Sequence, residues 1–358
     1  MMAGRRGLLV TILGVAIFAV YLAYSNPFTV LFEVGRFNAV DYLVAVAVDY
    51  VGLFLYAASW YVLLRALDVK VSVWEATQVT YASLFITWML PLPMITDVLK
   101  AQLIRDKKNS NIGKAISSSF INKAYYNIAF GVIIGLSAVM VTVFGGGGIP
   151  IQPALIWFEI TWAAISSLIF GLILSPRLLR RVYGLSPAWV KRNVFDRIYG
   201  SGSAEGSFER VVDDIESSIR ELRTKIGSNL LSFILVALHW GSGSVTAFIV
   251  ARSLGVHIDI WMIILVYAIV EFIQQLNFII PGGLGVVDAG LTGGFVLIGL
   301  PLSVASAVSL LTRLATYWLE LLLCAPITLH YGYMESVRLP RRGRDAPERA
   351  SSWKDENS

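Results

Sequence analysis

The sequence predicts an all-α integral membrane protein with about six full spans and two re-entrant helical hairpins, arranged as an inverted repeat. Three observations lead to this fold class. The 358 residues are 56% hydrophobic and only 15% charged, and they include several apolar runs of about 20 residues, the length that a helix needs to cross a bilayer. Two of these runs are interrupted by proline and glycine. The lysines and arginines cluster at the ends of the runs that one orientation places inside the cell.

Eight apolar segments define the predicted membrane domain, which extends over residues 1–334. They lie at about 8–25, 40–64, 74–96, 115–144, 154–175, 227–251, 260–300 and 303–333. The first segment is long and lacks a clear cleavage site of small residues, so we interpret it as an anchor rather than a signal peptide. Residues 335–358 are rich in arginine, proline, aspartate and serine, and they are predicted to be a disordered basic cytoplasmic tail.

Positive charge predicts a multi-pass protein of the cell membrane with both termini in the cytoplasm. All but four of the 29 lysines and arginines fall in segments that are cytoplasmic when the N-terminus is inside. Arg36 and Arg252 lie in predicted outside loops, and Lys123 and Arg313 lie within spans. The positive-inside rule therefore accounts for the net charge of +5, and we do not expect nucleic acid to be a partner.

Two apolar segments are predicted to enter the membrane and return to the same side. The chain is inside at Lys70 and inside again at Lys100, and the segment 74–96 between them is too short for two spans. Pro91–Pro93 would form the tip of this hairpin. The segment 260–300 enters from outside and breaks at Pro281–Gly285; its length leaves open either a re-entrant pair or two full spans.

The two broken segments correspond when Pro91 is aligned with Pro281, which we call the repeat alignment. Pro91 precedes Lys123 by 32 positions, Pro281 precedes Arg313 by the same interval, and aromatic residues follow both cations. Inverted repeats with broken helices form many secondary transporters, which favours transport over a receptor or an enzyme. The predicted repeats, of opposite orientation, cover about 40–144 and 227–333.

Polar and charged residues in the predicted spans are the candidates for a functional site. An ionisable group at the bilayer centre costs about 2.5–3.5 kcal/mol on insertion scales, so it usually faces a cavity or a partner. Lysine and arginine suit a phosphate head group, whereas carboxylates suit a cationic group or protons. The alternative is internal pairing, for example of Asp288 with Arg313. The candidate substrate-binding residues are Asp97, Lys100, Lys123, Glu271, Gln274, Asn277, Pro281, Gly282, Gly283, Gly285, Asp288, Arg313, Tyr317 and Glu320.

Several kinds of chemistry have no support in the sequence. Cys324 is the only cysteine and the three histidines are scattered, so no metal-ligand spacing is present, and no Walker A motif indicates ATP hydrolysis. We therefore expect neither a cofactor nor an enzyme active site. The break at residues 281–285 has two interpretations, an unwound segment that faces a ligand or a packing kink between close helices.

Residues 176–226 form a predicted cytoplasmic insertion with an amphipathic helix. This helix would associate with the membrane surface or a partner subunit, or it would pack against the protein's own bundle. Its apolar stripe consists of Phe208, Val211, Val212, Ile215, Ile219, Leu222 and Ile226.

The motifs PGGLGVVDAGL and LLTRLATYW resemble the membrane domain of lysylphosphatidylglycerol synthases and the stand-alone flippase-like proteins related to it. PLPMITDVLKAQLIR followed by SFINKAYY is similar to that family's other motif, with Asp97, Lys100 and Lys123 in its places. Three features depart from the family pattern: residues 94–96 lack paired glycines, Lys123 replaces an arginine, and Asp288 replaces a glutamate. A lysylated cargo is therefore not implied.

The resemblance covers most of residues 1–334 and implies movement of a phospholipid or a lipid-linked head group between leaflets. The expected partners are membrane lipids, either an anionic phospholipid or a polyprenyl-phosphate-linked head group. No aminoacyl-transferase domain follows the membrane domain, so we expect no synthesis of aminoacyl lipids. The alternative is a non-catalytic membrane partner for a separate glycosyltransferase or aminoacyl-transferase, and a homo-oligomer stays open.

Overall fold

The computed structural model describes most of the two predicted repeats. The described residues are 2–89, 100, 101, 103, 104, 112–144, 157, 160, 161, 164, 165, 168, 175–187, 204–276 and 280–338. They form helices and connecting turns without a strand, as the all-α class predicts. The first hairpin tip, most of the predicted span 154–175 and tail residues 339–358 lie outside the described residues, whereas residues 335–338 continue the final helix.

The helices of the described residues follow the order of the predicted segments. They are α1 (Met2–Tyr24), α2 (Pro27–Val34), α3 (Ala39–Ala66), α4 (Val73–Met89), α5 (Ile112–Phe144), α6 (Pro176–Leu185), α7 (Ala204–Thr224), α8 (Ile226–Ser253), α9 (Ile260–Leu276), α10 (Val286–Leu297), α11 (Leu302–Arg313) and α12 (Glu320–Arg338). A 3₁₀ turn at Pro281–Gly283 precedes α10, and a π-helical stretch at Leu314–Leu319 joins α11 to α12.

Four helical stretches among the described residues are long and apolar enough to span a membrane. Helices α1 and α2 make a fifth candidate span only when they are taken together, and the chain bends by 81° between them. Asn26 makes this bend with a φ of 56°, and Pro27 then starts α2. The predicted anchor is therefore bent into a second helix directly after its end. The four stretches are Ala39–Ala66, Gly113–Val143, Ile226–Ser253 and Leu302–His330.

Helices α9 and α10 fold back on each other around the break in the second repeat. Val266 of α9 faces Gly294 of α10 so closely that a Cβ on Gly294 would lie 2.6 Å from Val266 Cγ1. At 1.5 Å per residue, α10 rises about 18 Å, which falls short of the roughly 30 Å of hydrocarbon, whereas α9 reaches Leu276, beside residues that the structure does not describe. The length of α10 favours the re-entrant hairpin over two full spans.

The helix boundaries recur in the repeat alignment. Helices α5 and α11 begin at Ile112 and Leu302, which are equivalent positions. The pair α3 and α8 and the pair α4 and α9 each begin within one helical turn of equivalent positions. Helices α3 and α8 pack antiparallel, since Ala45 O accepts a hydrogen bond from Thr246 Oγ1 and Gly52 contacts Ser242 further along. An antiparallel contact between equivalent helices is the geometry that an inverted repeat requires.

The amphipathic helix of the insertion, α7, packs its apolar face on the protein's own bundle. Ile215 and Leu222 are buried and share a core cluster with Trp60 of α3 and Ile116 of α5. Of the alternatives open from the sequence, the structure shows packing within the chain. The prediction was wrong for Ile226, which starts α8 and is 73% exposed, because the helix is interrupted at Lys225, which has a φ of −100° and a ψ of 55°.

Polar contacts also connect α7 to its neighbours. Lys114 Nζ of α5 donates to Glu221 Oε2 at 3.2 Å and to Leu67 O at 3.1 Å. On the outer side, Arg180 of α6 lies within salt-bridge distance of three carboxylates, and its hydrogen bond with Glu209, together with the nearby charges, raises the pKa of Arg180. The Arg180 contacts are exposed and the Lys114 contacts are only partly buried, so the apolar face supplies most of the attachment energy.

Candidate functional site

Asp288 and Arg313 form a buried ion pair in the second repeat. Asp288 Oδ1 lies 3.4 Å from Arg313 Nε, and the two residues are 1% and 5% exposed. The other oxygen, Asp288 Oδ2, accepts the Gly285 backbone N–H at 2.9 Å, so the carboxylate also caps the start of α10. Ser309 Oγ donates to the Asp288 carbonyl at 3.0 Å. The structure thus shows the internal pairing that the sequence left as an alternative.

The backbone is unwound at the predicted break, and side chains of the protein satisfy it. Gly282, Gly283 and Gly285 have φ values of 60°, 65° and 78°, which favour glycine. Arg313 Nη2 donates to Gly282 O at 2.6 Å. A Cβ on Gly282 would overlap the Tyr317 hydroxyl, so Tyr317 covers the break directly. Irregular backbone at membrane depth is tolerated where protein satisfies it in this way.

A π-helical stretch follows Arg313 and positions two further candidate residues. Tyr317 lies within Leu314–Leu319, and its ring centroid is 4.4 Å from the Arg313 guanidinium carbon. Trp88 of α4 packs edge-on against the same ring at 6.0 Å. Wide helical turns of this kind occur frequently at functional sites. Arg313 therefore has a carboxylate, a carbonyl and an aromatic ring as neighbours.

Glu320 meets Asp49, which is not among the candidate residues predicted from the sequence. The two side chains are within hydrogen-bonding reach, and the residues are 7% and 4% exposed. Asp49 belongs to α3 of the first repeat, whereas Glu320 begins α12 of the second. Its position as a carboxylate in a predicted span was the signal that could have identified Asp49.

Lys100 and Lys123 lie against aromatic rings in the first repeat. Lys100 is fully buried, with its Nζ 4.2 Å from the Tyr56 ring centroid and 5.3 Å from that of Trp60. Lys123 Nζ lies 4.3 Å from the Tyr126 ring centroid. Both ammonium groups are within the distance at which a ring face attracts a cation. The rings of Tyr56 and Tyr126 are 6.2 Å apart, so the two lysines belong to one cationic aromatic cluster.

His239 of α8 completes this cluster and was also not selected from the sequence. Its ring stacks on Tyr56 at 4.8 Å, and its Nδ1 lies 3.0 Å from Gly52 O. His239 and Asp49 occupy equivalent positions in the repeat alignment. His239 of the second repeat thus joins the cluster of Lys100 and Lys123 in the first repeat, and Asp49 of the first repeat meets Glu320 of the second.

The structure describes only some of the remaining candidate residues. Gln274 is half-buried in α9, and Gly283 is buried at the break, with its N–H donating to Ile280 O at 3.0 Å. Pro281 begins the 3₁₀ turn. The residues Asp97 and Asn277, and the side chains of Glu271 and Pro281, lie outside the described part of the chain.

Comparison with known proteins identifies related sequences. Residues 11–324 match the family described as the lysylphosphatidylglycerol synthase TM region. A UPF0104 membrane protein from Pyrococcus horikoshii is 21% identical over 343 residues, which cover 88% of this chain and 94% of the relative. A UPF0104 membrane protein from Methanothermobacter thermautotrophicus is 24% identical over 164 residues, 42% of this chain and 48% of the relative. The family match contains every candidate site residue and all but the end of the second repeat.

Proposed function

The chain belongs to the lysylphosphatidylglycerol synthase transmembrane family, and from this premise we propose that it moves lipids with a phosphate-bearing, anionic head group between leaflets. The lipid is a phospholipid or a polyprenyl-phosphate-linked molecule. Its head group crosses between the two repeats while its chains stay in the bilayer. No bond in the lipid is made or broken, and both termini face the cytoplasm.

The observation that carries this proposal is the pair of lysines within the membrane domain. The Nζ atoms of Lys100 and Lys123 lie over the faces of Tyr56 and Tyr126, at 4.2 and 4.3 Å. Ring faces stabilise a cation without neutralising its charge. An ammonium group has several N–H donors, and with phosphate oxygens they form short charge-assisted hydrogen bonds. Two such groups beside one aromatic pair fit an anionic head group.

The second repeat supports a different role for Arg313. Its guanidinium is engaged by Asp288 at 3.4 Å and by Gly282 O at 2.6 Å, so it holds the hairpin tip closed in this conformation. We therefore assign head-group binding to Lys123 of the first repeat and control of the tip to Arg313. In transporters of this architecture, alternating access arises when one repeat rocks or gates against the other.

The separate-transferase alternative has less support. It depended on the amphipathic helix of the insertion as a docking surface, and the apolar face of α7 is occupied by Trp60 and Ile116 of the bundle. An outer face of α7 remains exposed, with Asp213 and Glu216 among its residues. It is charged, and nothing in it indicates a transferase.

The test is lipid movement in liposomes that contain the purified protein. Fluorescent phosphatidylglycerol and phosphatidylcholine probes would be compared, with dithionite quenching to report the leaflet. We expect faster movement of the anionic probe, a decrease of about tenfold or more in Lys123→Gln, and substantial retention in Lys123→Arg, because one charged hydrogen bond is worth about 1.5–3 kcal/mol.

Lys225→Gln is the matched control, because Lys225 is an exposed lysine between α7 and α8. Its rate should equal that of the unmodified protein. A lipid-linked phosphate probe should be included to distinguish the two cargo classes. Failure of every anionic probe to move, or unchanged movement in Lys123→Gln, would contradict the proposal.

A further inference from the structure

Two carboxyl groups meet at a contact between the repeats. Asp49 of α3 and Glu320 of α12 are 4% and 7% exposed, and their side chains are within hydrogen-bonding reach of each other. Two tyrosine side chains of α3 also bond to the backbone of the second repeat. Tyr50 Oη donates to Leu319 O at 3.1 Å, and Tyr42 Oη donates to Leu311 O at 3.1 Å. The carboxyl pair therefore lies inside an established contact between α3 and the α11–α12 segment.

This proximity requires a proton. An ionised carboxylate has acceptors and no donor, so two ionised groups cannot form a hydrogen bond. They also repel each other strongly when buried, and one proton shared between them removes both difficulties. Within the described part of the chain, Asp49 Oδ2 is buried without a hydrogen-bond partner. A proton is the ligand that this oxygen can take without any change in packing.

The charged and titratable groups around the pair do not replace this proton. The positive charge of Arg313 attracts the ionised form of the Glu320 carboxyl group. Arg313 is already paired with Asp288, however. Among the residues that the structure describes, the other titratable side chains facing the pair are hydroxyls and a thiol, which are neutral at pH 7 in their ordinary form. They are Tyr42 and Tyr50 of α3, Tyr81 of α4 and Cys324 of α12.

We propose that Asp49 and Glu320 bind one shared proton, which joins α3 to α12, and that this proton leaves to water when the two repeats separate during transport. On release, the protonated carboxyl becomes a carboxylate and water becomes hydronium. The two carboxylates then repel each other and are stabilised only when solvated. The release step rests on the proposed lipid movement, whereas the shared proton does not.

Infrared spectroscopy of the protein in liposomes tests the shared proton. A protonated carboxyl has a C=O stretch that is separate from the carboxylate bands and shifts in D₂O. We expect a buried band of this kind that decreases as pH rises and is lost in both Asp49→Asn and Glu320→Gln. Asp259→Asn is the control, since Asp259 is an exposed N-cap whose acceptor asparagine retains. If the band persists in both amide variants, the shared proton is excluded.

Lipid movement at equal pH on both sides tests the release step. If one proton must leave, the rate should rise by up to about tenfold per pH unit while the pair titrates, and both amide variants should lose this dependence. If the rate of lipid movement does not change with pH while the infrared band titrates, the release step alone would be overturned. Absence of lipid movement at every pH would overturn the proposed function, and the infrared band would still decide whether the proton is bound. Unchanged melting temperatures and elution volumes of the variants would confirm that they fold.

Discussion

Gly52 of α3 contacts Ser242 of α8, and these residues are equivalent positions of the two repeats. In an antiparallel pair of equivalent helices, a residue meets its own equivalent only where the two-fold axis crosses the contact. For the predicted inverted repeat, the axis that relates the two halves would pass between Gly52 and Ser242. Asp49 and His239 lie one turn away on opposite sides of this axis.

Gly52→Ala should destabilise the contact between the repeats. A Cβ on Gly52 would overlap the Ser242 side chain, and overpacking of this kind costs about 1–3 kcal/mol. Ser242→Gly in the same chain should restore most of the lost free energy of unfolding, which can be measured by denaturant titration in micelles. Gly135→Ala is the control, because a Cβ there has no neighbour within 4 Å among the described residues; a similar loss in that variant would show that the contact is not responsible.

Gly282→Ala should impair the hairpin tip more than a helical glycine substitution does. Gly282 has a φ of 60°, where a side chain costs about 1–2 kcal/mol, and a Cβ would also overlap Tyr317. Gly293→Ala in α10 meets no described atom within 4 Å and should be neutral or stabilising by up to about 1 kcal/mol. Thermal unfolding of both variants gives the comparison. Equal melting temperatures would contradict the close packing of Tyr317 on the tip.

The sequence predicted the fold class and the break well because both depend on local signals. Apolar length locates the spans, and the glycines at 282, 283 and 285 have the positive φ values that their type favours. The bend at Asn26 was not expected, because asparagine in the left-handed region is too common in loops to predict an 81° turn directly after an apolar run.

The site was harder to predict because its partners come from different repeats. The pairing of Asp288 with Arg313 was one of two alternatives open from the sequence, and the structure shows it. His239 acquires its neighbours through the crossing of α8 with α3, and Asp49 meets Glu320 through the packing of α3 against α12. A single sequence does not give the rotation of one helix against another. The same reason explains why the partner of Glu320 was missed.

The apolar face of α7, rather than its ion pairs, should hold this helix on the bundle. Leu222 is 3% exposed in a core cluster, so Leu222→Ala should cost about 2–5 kcal/mol. Arg180→Ala removes contacts with three carboxylates, but they are exposed and should contribute at most about 1 kcal/mol. Amide hydrogen exchange of residues 212–224 reports local detachment. Faster exchange in Arg180→Ala than in Leu222→Ala would reverse this assignment.

Asp288→Asn should destabilise the protein because it leaves the positive charge of Arg313 buried without its carboxylate partner. Asparagine retains an acceptor for the Gly285 N–H, so the cap of α10 survives, whereas Arg313 loses its carboxylate in a site only 5% exposed. Removing one partner of a buried pair costs about 3–5 kcal/mol. The double variant Asp288→Asn, Arg313→Gln should recover part of this free energy of unfolding, because no unpaired charge remains.

An exposed pair at nearly the same distance provides the control for burial. Arg36 Nη1 lies 3.5 Å from Glu33 Oε2, against 3.4 Å for the buried pair, and the Arg36 side chain is 65% exposed. Glu33→Gln should change the free energy of unfolding by at most about 1 kcal/mol. Equal effects of Glu33→Gln and Asp288→Asn would mean that water reaches Arg313 in solution. The unpaired guanidinium would then be solvated, and the tip at Gly282 would be open to the head group in this conformation.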